Sequence, residues 1–467
     1  MPSEDATGLQ FTCADFTSDP TMIPVQFWAK DKSTGIADYL NVMVLLYDNS
    51  NMCTGTQAPQ SVSIISGQIS TENQEQVPDV EVKVSNDVKE TVVNTGDAGL
   101  YQAGIPLVDH TMIRPEKNDD HSVGISTADL IKVQKHILGI KTIESPYKLI
   151  AADANRDGEI NPVDLIQIRK VLLGKIDRFP DNTSWRFVDA SYHFAKKEKA
   201  LKESFPEQIE LNSTTGRDAK KNFIGIKIGD LNGNVFTSQS TNRNRSAIDL
   251  VVPHVTIEVN NPVKVPVFLS EGLDIEGIQL QLLGDINQIE ITGLESGQLD
   301  VDPESIMVKD GMVRLSVPMA DGVFLDVTEP IFYINLLPKQ SGDLMDALAI
   351  SDQGFPSELY GIDRGIQSLH LQFGSESMEN RPTTFLLQNR PNPFRAETTI
   401  EFWLSTSQRV GLKIYDPAGR ILKEIYQDFD QGQQQIVVDK SDLTPGVLYY
   451  ELQTNQGRET KRMILLE

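Results

Sequence analysis

One unit occurs twice in this chain, 35 positions apart (from Asn118 and again from Asp153), and no other feature limits the possible folds as tightly. The copies read NDDHSVGISTADLIKVQKHILG and DANRDGEINPVDLIQIRKVLLG. Laid on one another they match at Ile125/Ile160, Asp129/Asp164, Leu130/Leu165, Ile131/Ile166, Lys135/Lys170, Leu138/Leu173 and Gly139/Gly174. In the second copy Asp153, Asn155 and Asp157 alternate, Gly158 follows, and Asp164 is the twelfth residue, on the first turn of an expected helix. That is the spacing of a calcium loop: oxygen ligands at positions 1, 3 and 5, a backbone carbonyl at 7, a carboxylate at 12, and glycine at 6 for the sharp turn. Ca²⁺ takes about six to eight hard oxygen ligands, more than one side chain supplies. Without metal the three carboxylates repel one another, so cation binding is expected to supply part of the folding free energy. Glu159 is expected to offer its carbonyl, and Asn161, at position 9, to ligate directly or through water. The plainer alternative is an Asx-rich turn capping an ordinary helix.

The first copy carries fewer charges. Asn118, Asp120 and Ser122 occupy positions 1, 3 and 5, Val123 stands where glycine is expected, and only Asp120 and Asp129 are charged ligands. Fewer charged ligands lower affinity, so this half is either a weaker ion site or purely structural. In the helices, Leu130, Val133, Ile137 and Leu138, and then Leu165, Ile168, Val171 and Leu172, fall at i, i+3, i+4 spacing. Two helices with such stripes are expected to bury them against each other.

A paired loop-plus-helix unit with Asp rather than Glu at position 12 and a closing Leu-Leu-Gly resembles a type I dockerin module. The resemblance implies Ca²⁺ as cofactor and docking onto a cohesin-like module, either on a partner or within the chain.

A length of 467 residues predicts about three to five domains. The formal net charge of −24 makes nucleic-acid binding through a basic surface a poor expectation and suits cation binding and solubility outside the cell. Both cysteines, Cys13 and Cys53, lie near the start, where they could bridge in a secreted protein. No apolar run is long enough to span a membrane as a helix. The opening MPSEDATGLQ has neither the basic nor the apolar region of a signal peptide. The chain is therefore expected to be the C-terminal piece of a larger secreted protein.

The expected fold class is mainly β and multidomain: several antiparallel β-sandwich (immunoglobulin-like) modules plus the small helical calcium-loop pair. Residues 1–56 read as strands and turns similar to the end of an immunoglobulin-like repeat, with an independent hairpin layer as the alternative. In 60–108, Val80, Val82 and Val84 alternate with Glu81 and Lys83, a half-buried strand, and the turn Gly96-Asp97-Ala98-Gly99 precedes Tyr101. This stretch resembles the carboxypeptidase-regulatory-like β-sandwich. Residues 112–235 hold the duplicated pair with appended strands, and Asp230-Leu-Asn232-Gly-Asn234 reads as an ordinary turn without a position-12 carboxylate. After the polar run 237–246, residues 247–374 give alternating segments. In one of them Ile278, Leu280 and Leu282 face one way and Gln279 and Gln281 the other, so a two-layer antiparallel sandwich is expected. It resembles the cohesin and carbohydrate-binding sandwich superfamily, which implies docking, polysaccharide binding or spacing.

Beyond the polar run GSESMENRPTT, residues 384–467 predict a small seven-stranded sandwich from turns at Pro417-Ala418-Gly419 and Pro445-Gly446. The run Gln388-Asn389-Arg390-Pro391-Asn392-Pro393-Phe394, the IYDPAGR turn, the GVLYYEL strand and the terminal KRMILLE match, in order, the type A C-terminal sorting domain of the type IX secretion system of Bacteroidota. That implies handling by the type IX machinery and a secreted or outer-surface location.

No catalytic centre is expected. The six histidines never fall in HExxH spacing, no serine sits in a GxSxG elbow, and Gly174-Lys175 lacks the upstream glycine of a P-loop. The expectation is a calcium-binding adaptor or adhesion protein. The alternative is the accessory portion of a polysaccharide-degrading glycoside hydrolase whose catalytic domain lies outside this chain.

Overall fold

The computed structural model describes residues 11–15, 21–30, 37–47, 62–106, 110–212, 218–236, 246–374, 384–404, 406–455 and 457–466. The protein is mainly β, built of several sheets with three short α-helices among the described residues. It divides into two compact units: Met1–Ile125 with Lys141–Val171 and Asp177–Phe236, and Ser126–Ile140 with Leu172–Ile176 and Thr237–Glu467. The helices are α1 (Thr127–Ile137), α2 (Pro146–Ala152) and α3 (Pro162–Leu173). Ser145 caps α2 through Lys148 N, with Pro146 at the first helical position, where its missing N–H costs nothing.

In the first unit, strand Val62–Ser70 pairs antiparallel with Leu100–Pro106 and parallel with Asp218–Lys220 and Phe223–Lys227, and the last of these pairs antiparallel with Trp185–Asp189. A second sheet runs Glu90–Asn94, Glu81–Ser85, Thr111–Glu116, Ile209–Leu211. Stretches expected as separate modules, 60–108 and 112–235, thus share both sheets. The alternating Val80, Val82 and Val84 bury one face against Ile69, Phe187 and Phe223 in a common core. Strands that sequence alone would append to the repeat are needed to cover this sandwich, because a half-buried strand pairs wherever its apolar face finds closure. Gly67 has a steric cause: a Cβ there would lie 1.7 Å from the Lys221 carbonyl oxygen, which accepts a 2.6 Å bond from the Tyr101 hydroxyl. Of residues 1–56, the described strands Thr21–Lys30 and Ala37–Leu46 form an antiparallel pair. Cys13 is disulfide-bonded, and Cys53 lies outside the described residues.

In the second unit, residues 247–373 form a sandwich whose strands run antiparallel except for one closure. Strand Ala247–Val252 pairs parallel with Gly365–Phe373, bringing the first and last strands together. Ile278, Leu280 and Leu282 enter the core with Val265, Phe268, Leu315 and Phe332, as the alternation predicts. Among the described residues the C-terminal sandwich has the expected seven strands, three in one sheet and four in the other, around Phe394, Phe402, Leu412 and Tyr450. Its Trp403 packs into the core of the preceding sandwich, and Lys461 pairs with Glu329 at 3.3 Å. The polar run 237–245 and most of the later one (375–383) lie outside the described residues.

Candidate metal loop and docking face

The second copy's loop lies within the first unit, between α2 and α3. Asp153 ends α2; its Oδ1 accepts from Asp157 N and its Oδ2 from Gly158 N, both at 3.1 Å. Asp164, on the first turn of α3, accepts from Asn155 N at 3.1 Å and Asn161 N at 3.0 Å, so positions 1 and 12 tie the two halves of the loop together. Asp157 Oδ1 accepts from Glu159 N, and its Oδ2 accepts from Asn155 Nδ2 at 2.7 Å. Asn161 Oδ1 accepts from Val163 N. Glu159 turns its carboxylate to Lys202, which leaves its carbonyl as the group it could offer a metal. Gly158 has φ +80°, the left-handed turn predicted for position 6.

Burial sets the electrostatics here. Asp153 is 2% exposed and Asp164 0%. Burial raises both carboxyl pKa values, and the neighbouring carboxylates push the same way, against the backbone N–H bonds. Neither makes an ion pair among the described residues, since the nearby cations Arg156 and Lys202 go to Glu207 and Glu159. Buried anions without a cation are costly, and a divalent ion collected by Asp153, Asp157 and Asp164 would offset that cost. The donors are all hard oxygens, which suits Ca²⁺. They are not already closed on one centre: among the described residues no three Asp, Glu, His or Cys side chains converge as a metal cage.

The first copy is arranged differently. Asn118 Oδ1 accepts from Ser184 N at 2.9 Å, while Asp120 and Ser122 are exposed. Lys227 Nζ donates to the carbonyls of Asp120 (3.0 Å) and His121 (2.9 Å), and His121 Nδ1 accepts from Phe179 N. Lys227 is 4% exposed; burial pushes its pKa down to about 8 against the pull of Asp230, Asp119 and Asp120. Asp129 belongs to the second unit, where its Oδ2 accepts from Ser126 N and Ser126 Oγ, both at 2.8 Å, as the acidic half of a capping box. Asp230 closes its own turn onto Gly233 N and Val235 N, in keeping with the ordinary-turn reading.

In the second unit, α1 packs through polar contacts on a sheet. α1 was expected to pack on the other repeat helix, but its principal surface is the sheet of the 247–373 sandwich. Thr127 N and Oγ1 donate to Gln279 Oε1 at 2.7 and 3.0 Å, and Thr127 Oγ1 lies 2.7 Å from Ser316 Oγ. Gln279 Nε2 donates onward to the Pro356 carbonyl. Gln134 Oε1 accepts from Ala320 N, and Lys135 pairs with Glu276. Ile131 and Thr127 lie over Gly277. Leu130 and Val133 are buried as the stripe predicts, whereas Leu138 is 55% exposed. Gln279 and Gln281, on the face opposite Ile278, Leu280 and Leu282, are 1% and 2% exposed: α1 covers the first, and the second accepts from Arg314 Nε, whose guanidinium lies over Phe355. Beside them the buried Tyr360 hydroxyl donates to Glu358 at 2.7 Å. The segment after α3 adds Lys175 Nζ on the Pro303 carbonyl.

Sequence reasoning missed Lys227 and the polar set Gln279, Ser316, Glu358 and Tyr360. Lys227 carried a signal, because it shares the strand face of Phe223 and Gly225 by alternation, where a lysine needs a partner.

With this geometry in place, the protein is defined as an exported, multidomain β-protein carrying a sorting module. Residues 390–466 match the family of secretion system C-terminal sorting domains. The chain is accordingly handled by type IX secretion to the cell surface or beyond, and no helix among the described residues is long and apolar enough to cross a membrane. No curated protein matches the chain. Similar solved structures include a type I cohesin–dockerin complex from Clostridium thermocellum, 17% identical over 27% of this chain and 90% of that one, with a TM-score of 0.22. A non-cellulosomal cohesin from the archaeon Archaeoglobus fulgidus is 16% identical over 28% of this chain and 94% of its own, TM-score 0.21. The Bacillus anthracis TIE protein is 9% identical over 95% of this chain and 57% of its own, TM-score 0.21.

Proposed function

We propose that this chain is a non-catalytic, exported adaptor or adhesion protein in which a dockerin-like repeat binds Ca²⁺ at its second loop and seats its first helix on the chain's own cohesin-like sandwich. The observation that carries the reading is the buried polar lock of Thr127, Gln279 and Ser316 beneath α1. Polar groups buried on a sheet are costly unless paired, so this face suits a helix N-terminus in one register. The Ca²⁺ part is supported by two buried, uncompensated carboxylates at positions 1 and 12 of the loop.

Two measurements on the full chain test it. Titration with CaCl₂ after chelation is expected to give heat of binding and a higher melting midpoint, both lost in Asp153→Ala. Hydrogen exchange of residues 127–137 is expected to be slow, and to speed up in Gln279→Leu. An α1 that exchanges equally fast in both proteins would sink the intrachain docking.

A further inference from the structure

We propose that the ammonium of Lys227 holds the first repeat's loop in place of a metal ion, so that the duplicated unit takes one Ca²⁺ and not two. The duplicated pattern is thus filled in two ways. At the second repeat, Asp153 and Asp164 turn inward, and among the described residues neither meets a cation of the protein. At the first, a cation is built in: Lys227 ends strand Phe223–Lys227, is held in register by pairing with Trp185, and reaches the carbonyls of Asp120 and His121.

The rest of that loop agrees. Asn118, the position-1 residue, is committed to Ser184 N, and His121 to Phe179 N. The carboxylate of Asp120 and the hydroxyl of Ser122 belong to exposed residues, where water serves them. A divalent ion gathered by Asn118, Asp120 and Ser122 would have to share the loop with a buried ammonium of like charge, in a setting that screens it poorly. Val123 in place of glycine at position 6 is tolerable for the same reason, since the loop no longer has to wrap an ion.

The count of one ion rests on the calcium reading of the second repeat; the role of Lys227 does not, and the experiment separates them. Calorimetric titration of the full chain with CaCl₂ is expected to give one ion per chain, and none for Asp153→Ala. In chelator, Lys227→Met is expected to melt lower than wild type and to exchange amides of residues 118–125 faster, with neither change reversed by CaCl₂ sufficient to saturate wild type. Two ions in wild type, one ion surviving in Asp153→Ala, or wild-type exchange over 118–125 in Lys227→Met would each overturn the proposal. If wild type takes no ion, the second-repeat reading fails, and the exchange comparison in chelator still decides whether Lys227 holds the first loop. Lys227→Arg, which keeps the charge, is expected to retain more of the protection than Lys227→Met.

Discussion

Ile131 rests where a side chain on Gly277 would have to be: a Cβ on Gly277 would come within 2.9 Å of Ile131 Cδ1 and 3.1 Å of the Val317 carbonyl oxygen. The bare backbone at Gly277 is what allows a helix to lie on this sheet. Gly277→Leu is therefore expected to lift α1 and cost about 1–3 kcal/mol, the range for overpacking. Gly293, where a Cβ would have nothing within 4 Å, supplies the control, and Gly293→Ala is expected to leave both melting and α1 exchange unchanged. Equal effects of the two substitutions would remove Gly277 from the docking face.

Calcium is expected to stabilise the chain by mass action, by about 2.7 kcal/mol at a free concentration 100 times the dissociation constant. Asp164→Asn loses the charge and keeps an acceptor for only one of Asn155 N and Asn161 N, which bond to different carboxylate oxygens, so it is expected to melt lower than wild type in chelator, by about 1 kcal/mol, and to lose the calcium increment. Thermal melts with and without CaCl₂ check this. A full increment in Asp164→Asn would show that position 12 is not a ligand.

The pH dependence has opposite signs in the two conditions. Burial raises the native pKa values of Asp153 and Asp164, so without metal the folded state holds protons more tightly than the unfolded one. Their contribution to stability in chelator therefore grows as pH falls through the raised native values toward the ordinary carboxyl range. With CaCl₂ present, protons compete with the metal and the calcium increment shrinks over the same window. Melting midpoints in both media from neutral pH downward test this, best read as the difference between wild type and Asp153→Asn.

Gly67→Ala is expected to be among the most damaging single substitutions in the first unit, at the upper end of about 1–3 kcal/mol or beyond, because its Cβ would collide with backbone at Lys221 rather than with a movable side chain. Gly96→Ala, where a Cβ meets nothing, is expected to be neutral or stabilising by a few tenths of a kcal/mol to about 1 through the unfolded state. Chemical denaturation of the two variants separates them.

Removing residues 390–466 takes away the whole sorting module and is expected to keep the chain from reaching the cell surface or the medium. Fractionation of expressing cells, with detection of the remaining chain, provides the check.

Local patterns were legible wherever neighbours in sequence are neighbours in space. The alternating oxygens from Asp153 to Asp164 make one turn-rich loop, and the glycine at its sixth position takes the left-handed conformation that spacing requires. The alternation at Ile278, Leu280 and Leu282, and the turn-delimited strands of the C-terminal sandwich, likewise state their own inward faces. By itself, then, the amino-acid sequence determined which segments are strands, which loop folds as an Asx-rich turn with a left-handed glycine, and which module directs export. Only the tertiary structure decided what covers each face: that the glutamines of Gln279 and Gln281 lie buried, that strands 185–227 complete a sandwich begun at Val62, and that Lys227 reaches the first repeat's loop from a strand about a hundred residues on. The reason is physical. Periodicity fixes which side of an element is apolar, whereas the partner that buries it, or the charge that meets a loop, is chosen by shape and pairing between segments distant in the chain.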